Sequence, residues 1–95
     1  MKERVVIGEG SVPRLAPHAR LQFNRQRDQW FLQAPERVLL LDSIAVEIVR
    51  RCDGAASVAA IVDDLASTYA APREVIARDV GALLQDLADK GVMTA

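Results

Sequence analysis

Reactive side chains are scarce in this 95-residue chain: one cysteine, one histidine, and aromatics at only 4% of positions. A lone cysteine, Cys52, excludes an intrachain disulfide, and its use fits a reducing cytoplasm. Cys52 has no Cys or His partner at metal-ligand spacing, so it reads as a buried structural thiol. The lone His18 stands between Pro17 and Ala19 in an irregular stretch, where a surface residue is expected rather than a base or ligand. No glycine-rich phosphate loop precedes a helix, since Gly8 and Gly10 lead into no strand-helix unit. No apolar run approaches the roughly 20 residues of a membrane-spanning helix. The only apolar run near the N-terminus is Val5 to Ile7, too short for a secretory signal. These absences argue against an enzyme, a metal site, a bound cofactor and a membrane protein.

What is present is shape. Hydrophobic residues make up 51% and charged residues 26%, values of a soluble globular domain. The formal net charge is −1 but is unevenly divided. Residues 1–41 carry seven basic against four acidic groups, hence +3; residues 42–95 carry five against nine, hence −4.

Residues 1–18, with Gly8, Gly10, Pro13 and Pro17 and no periodicity, are expected to form a flexible N-terminal arm, leaving 19–95 as the folded domain. Arg20–Asn24 alternates polar and apolar, as a half-buried strand does. Arg25–Asp28 is a polar turn, and Gln29–Gln33 completes a hairpin whose Trp30 and Phe31 are expected to hold it against the core. Ala34-Pro35-Glu36 breaks that strand, since proline cannot donate to a ladder, and Arg37–Leu41 forms a third one. Its run Val38-Leu39-Leu40-Leu41 is apolar without alternation, which fits equally a strand covered on both faces and an edge awaiting a partner.

Three helices follow. Asp42 or Ser43 caps the first, and Gly54 is expected to stop it in a left-handed cap. Ser57 caps the second, which runs to about Ala70 with Val58, Ile61, Val62, Leu65 and Tyr69 on one face. Pro72 opens the third, with a core stripe of Ile76, Val80, Leu83 and Leu87, and Gly91 ends it. Val92-Met93 is a short final strand or an extended tail. Beside that core stripe runs a stripe of small residues, Ala77, Gly81 and Ala88, with Leu84 among them. Gly81 costs a helix about 1 kcal/mol relative to alanine, tolerable where another backbone must come close. The expected fold is α+β: a three-stranded antiparallel sheet and three helices, in a winged helix-turn-helix-like arrangement.

Such an inventory fits a winged-helix DNA-binding regulator, the alternative reading. Charge opposes it. Pro72–Lys90, the would-be recognition helix, carries three basic and four acidic residues, whereas a duplex binder must neutralise several phosphates. Peptide capture on an open strand edge needs no such charge.

The pattern Trp30-x-Leu32-x-x-Pro35-Glu36, Leu41 ahead of the helix cap, Cys52-Asp53-Gly54, Asp79-Val80 and Leu83/Leu84-x-x-Leu87 resembles the PqqD family of pyrroloquinoline quinone (PQQ) biosynthesis. These are precursor-peptide recognition elements of ribosomally made, modified peptides (RiPPs). The similarity spans about residues 15 to 93, and the first dozen residues carry no match. The resemblance implies no catalysis. It implies a peptide chaperone that binds the precursor PqqA and presents it to the radical SAM enzyme PqqE. It further implies that the peptide lies between the third strand and the third helix, adding to the sheet. Carried onto this chain, the expected contacts are Arg37, Val38, Leu39, Leu40 and Leu41 on the strand, and Arg73, Ala77, Gly81 and Leu84 on the small-residue flank of the helix. Arg37 and Arg73 are expected to engage peptide acids. A monomer is expected, with a homodimer through the same apolar edge as the alternative.

Overall fold

The computed structural model describes residues 5–95. Its elements, in chain order, are β1 (Arg14–Leu15), β2 (Arg20–Asn24), β3 (Gln29–Ala34), β4 (Arg37–Leu41), α1 (Ser43–Arg50), α2 (Val58–Tyr69), α3 (Arg73–Asp89) and β5 (Met93–Thr94). Strands β2, β3 and β4 form an antiparallel meander in that spatial order, so β4 is an edge. Strands β1 and β5 pair separately, Arg14 opposite Thr94 and Leu15 opposite Met93. The α+β architecture expected from sequence is the one observed, and the expected third strand is β4.

Local chemistry explains each turn. At the β2–β3 turn Asn24 Oδ1 accepts from the N–H groups of Gln26 and Arg27, at 3.0 and 3.3 Å, and Asp28 takes a left-handed φ of 51°. At β3–β4 the two-residue loop is Pro35-Glu36. Proline presets the first position and Glu36, at φ 63°, supplies the left-handed second one, a type II geometry. Asp42 caps α1 by accepting from Ala45 N–H at 2.7 Å, and Ser57 caps α2 through Ala60 N–H at 3.1 Å. Helix α1 ends at Arg50 with Arg51 as its cap, three residues before Gly54. Gly54, at φ 78°, therefore serves the α1–α2 turn and not the helix end. Its N–H donates to Pro13 O at 3.1 Å, and Asp53 Oδ1 accepts from Ala55 and Ala56 N–H. The Cys52-Asp53-Gly54 motif is thus a turn device.

Residues 5–18 depart from the expected free arm; residues 1–4 lie outside the described residues. Glu9 O and Ser11 O accept from Ala59 and Val58 N–H, at 2.9 and 2.8 Å, satisfying donors of the first turn of α2 that no helical carbonyl reaches. Gln85 on α3 accepts from Ile7 N–H and donates to Val5 O, at 2.8 and 2.7 Å. Pro13 and Ala16 are buried. The segment is docked through the short β1–β5 pairing, buried Pro13 and Ala16, and single hydrogen bonds to helix ends and flanks, attachments that leave no periodicity to read.

The core lies between the inner sheet face and the three helices: Leu32 and Leu41 from the sheet, Val46, Ile48 and Val49 from α1, Ile61, Val62 and Leu65 from α2, and Val80, Leu84 and Leu87 from α3. Val92 and, from β5, Met93 close it. No helix of the described residues is long and apolar enough to cross a membrane.

Candidate peptide-docking edge

Strand β4 has a partner on one side only, and the register decides which of its groups remain free. Ala34 and Arg37 close a two-residue hairpin loop, so they form a hydrogen-bonded pair. Alternation along an antiparallel ladder then makes Leu32–Leu39 and Trp30–Leu41 bonded pairs as well, and leaves Gln33–Val38 and Phe31–Leu40 unbonded. The N–H and C=O groups of Val38 and Leu40 therefore point to the open edge, while those of Leu39 are used within the sheet.

Side chains divide the other way. Leu39 lies on the core face in the Leu21–Leu32–Leu39 row, half-buried and packed against the core. Val38 and Leu40 are on the outer face, 58% and 71% exposed. Phe31 flanks Leu40 on that outer face, so Phe31 does not brace the hairpin against the core as expected. Trp30 does, with the Phe23 ring tilted against it at 5.0 Å and the Arg50 guanidinium 5.9 Å over its ring. Leu41, 5% exposed and bonded to Trp30, is a core residue and not a docking contact.

Helix α3 runs beside this edge. At one end Arg37 Nη1 donates to Lys90 O at 3.4 Å. At the other, Asp42, just past β4, shares a hollow with Asp79 and Leu83. The eleven residue steps from Asp79 to the cap residue Lys90 span about 16 Å, the length of a five-residue strand at about 3.3 Å per residue. Strand and helix thus flank one cleft along the C-terminal two-thirds of α3.

The flank that faces the cleft carries Asp79 and Leu83, not the small-residue stripe. Leu84 is fully buried, and Ala77 and Ala88 pack against the core. Gly81 has open space around it, so no backbone approaches there. The flank beyond that stripe is occupied by the N-terminal segment through Gln85. Arg73 is engaged elsewhere, donating to Asp63 at 2.5 Å and to Glu9 at 2.6 Å. Of the expected contacts, Arg37, Val38, Leu39 and Leu40 lie along the open edge of β4, with the Val38 and Leu40 side chains on its outer face, whereas Leu41 and Leu84 are buried, Arg73 is ion-paired, and Ala77 and Gly81 lie on the other flank of α3. Adjacent leucines at 83 and 84 point about 100° apart, and the expected contact, Leu84, is the fully enclosed one while Leu83 is half-buried. Asp79, Leu83 and Ile44 line the hollow beside Asp42, and sequence reasoning placed none of them among the expected contacts.

Cys52 is buried, its Sγ–H donates to Ile48 O at 3.2 Å, and burial, aided by the Asp53 charge, pushes its pKa up to about 12. The thiol is protonated at neutral pH. Ellman's reagent is expected to label it at least about 100-fold more slowly in the native than in the urea-unfolded protein; equal rates would contradict the burial. The sign of the pH dependence follows from the raised value. The thiol's contribution to stability is intact below its ordinary pKa of 9.0 and is lost as pH rises toward 12, and Cys52→Ala removes that alkaline limb. No group of three or more His, Cys, Asp or Glu among the described residues could hold a metal ion.

Comparison with known proteins places this geometry in context. The family model for coenzyme PQQ synthesis protein D (PqqD) matches residues 29–93. A protein of Rhodopseudomonas palustris (strain TIE-1) called PqqA binding protein is 57% identical over 91 residues, covering 96% of this chain and 89% of that protein. Its namesake from Gluconobacter oxydans is 47% identical over 88 residues, covering 93% and 92%. The solution NMR structure of the PqqD part of Methylobacterium extorquens PqqCD, described as a functional, stand-alone RiPP recognition element, superposes with a TM-score of 0.82 at 36% identity, covering 94% of this chain and 95% of that one. The crystal structure of PqqD from Xanthomonas campestris gives 0.61 at 42% identity, covering 94% and 99%.

Proposed function

The chain belongs to the PqqD family, and from that premise we propose that it is a noncatalytic peptide adaptor of PQQ biosynthesis that binds the ribosomal precursor peptide PqqA and presents it to the radical SAM enzyme PqqE. The observation that carries the reading is the unpaired edge of β4 beside α3, in a chain whose relatives are called PqqA binding proteins. A peptide strand placed there receives backbone hydrogen bonds from Val38 and Leu40. Alternate peptide side chains then fall on the two faces: one set under the sheet, next to Leu39 and Leu83, the other beside Val38 and Leu40. Arg37, at the Lys90 end of the cleft, is placed to meet a peptide carboxylate.

The same edge could pair with a second copy, so the adaptor is proposed as a monomer that dimerises only when no peptide occupies β4. For DNA the charges are wrong. On α3, Arg73 is held by two carboxylates, and the acidic residues Glu74, Asp79 and Asp86 share its surface.

Titrating the ¹⁵N-labelled protein with PqqA, and separately with duplex DNA, tests the reading. Saturable amide shifts at Val38, Leu40 and Leu83 with PqqA, and none with DNA, are expected. Peptide shifts confined to the exposed surface of α2, or no saturable binding, would sink it.

A further inference from the structure

Past the Asp42 end of the cleft the three helices leave an unfilled apolar hollow of about 190 Å³. Its floor is Ile48, Leu65 and Val80, each no more than 3% exposed; Ile76 forms a wall, and Ile44 and Tyr69 stand at the mouth, 45% and 44% exposed. The sequence explains the void. The α2–α3 connection consists of Ala70, Ala71 and Pro72, all small or short, and apart from Tyr69 at the mouth nothing bulkier than isoleucine or leucine lines the hollow. A second hollow, lined by Asp42, Ile44, Ala45, Ile48, Asp79 and Leu83, joins it to the cleft, because both share Ile44, Ile48 and Asp79.

Its charge is one-signed. Asp79 belongs to the lining of both hollows, and Asp42 to that of the second. Neither forms a salt bridge among the described residues; the Asp42 carboxylate accepts from Ala45 N–H at the α1 cap. An apolar cavity of about 150 Å³ holds a benzene molecule, so this one has room for a leucine, isoleucine or phenylalanine side chain. Two carboxylates without a basic partner on its approach favour a cation next to that side chain.

We propose that the hollow is the anchor pocket for one bulky apolar side chain of the bound peptide, adjacent in the peptide to a lysine or arginine that lies over Asp42 and Asp79. The proposal rests on the peptide-docking reading and extends it: the edge of β4 supplies sequence-blind backbone bonds, and this pocket supplies selectivity. It also makes the α1–α3 junction part of the binding surface, where the strand edge alone would end at Leu41.

The test uses the full-length protein and PqqA, together with PqqA variants in which each apolar and each basic residue is replaced singly by alanine. Isoleucine methyl groups are followed by NMR alongside the backbone amides. The proposal expects PqqA to move the Ile44 and Ile76 methyl signals together with the Val38 and Leu40 amides. It expects Ile44→Asp to weaken binding at least about tenfold. It also expects Asp79→Lys to weaken parent PqqA several-fold, but not the PqqA variant lacking the matching cation. If the Val38 and Leu40 amides move while the methyl signals stay fixed and Ile44→Asp binds like the parent, the pocket is overturned and strand addition stands. If PqqA does not bind saturably, both fall. Should Ile44→Asp fail to fold, the methyl shifts of the unaltered protein decide.

Discussion

Proline at position 40 is expected to abolish tight PqqA binding in a protein that still folds, whereas proline one residue earlier, at 39, is expected to unfold the sheet. The contrast follows from the register. The Leu40 N–H points to the open edge, and an edge N–H facing solvent is where a strand tolerates proline. The Leu40→Pro substitution removes one donor to the incoming strand and sets a ring against it. A lost backbone bond of about 1–1.5 kcal/mol is about tenfold in Kd, and the ring adds to that. The Leu39 N–H, by contrast, is paired with Leu32, whose side chain is completely buried. Breaking that rung strands a buried carbonyl and distorts the centre of β4, a cost of about 3 kcal/mol or more. A chain of this length has roughly 5–14 kcal/mol in all. Urea melts and peptide titrations of the two variants give the result. Similar stability and similar affinity in both would mean that the edge is not used.

The second large contrast lies on α3. Leu84→Ala is expected to lower stability by about 2–5 kcal/mol, because the side chain is fully enclosed and its removal leaves a cavity. The fraction that remains folded is expected to bind PqqA normally. Leu83→Ala is expected to cost about 1 kcal/mol of stability, being half-buried, and to weaken PqqA binding about tenfold by removing the helix side of the cleft. Denaturant melts combined with calorimetric titration separate the two effects. A normal affinity in Leu83→Ala with a lost affinity in folded Leu84→Ala would return the small-residue flank to the site.

That second contrast marks where sequence reasoning stopped. The hairpin, the bounds of β4, the caps at Asp42 and Ser57 and the proline start of α3 follow from local chemistry that neighbours in sequence carry, and all appear in the fold. The flank of α3 does not. Leu83 and Leu84 are equally apolar, and the choice between them is made by residues far away in the chain, Val5 and Ile7 bonding Gln85 on one side and β4 lying along the other. Arg73 read as a free cation because Asp63 and Glu9 reach it only through the fold. Within β4 the unbroken apolar run misleads in the same way. Val38 and Leu40 are apolar without being buried, since they face outward on a sheet whose outer face no helix covers. The anchor hollow was invisible because a void is the absence of side chains where three helix ends meet.

These placements converge on one physical claim: the cleft binds by adding a strand to β4. Amide hydrogen exchange tests it most directly, residue by residue, with and without PqqA. The account predicts that Leu39 is protected in the free protein, that Val38 and Leu40 exchange quickly, and that saturating PqqA slows Val38 and Leu40 by orders of magnitude while leaving Leu39 little changed. Unchanged exchange at Val38 and Leu40 in the saturated complex would contradict it.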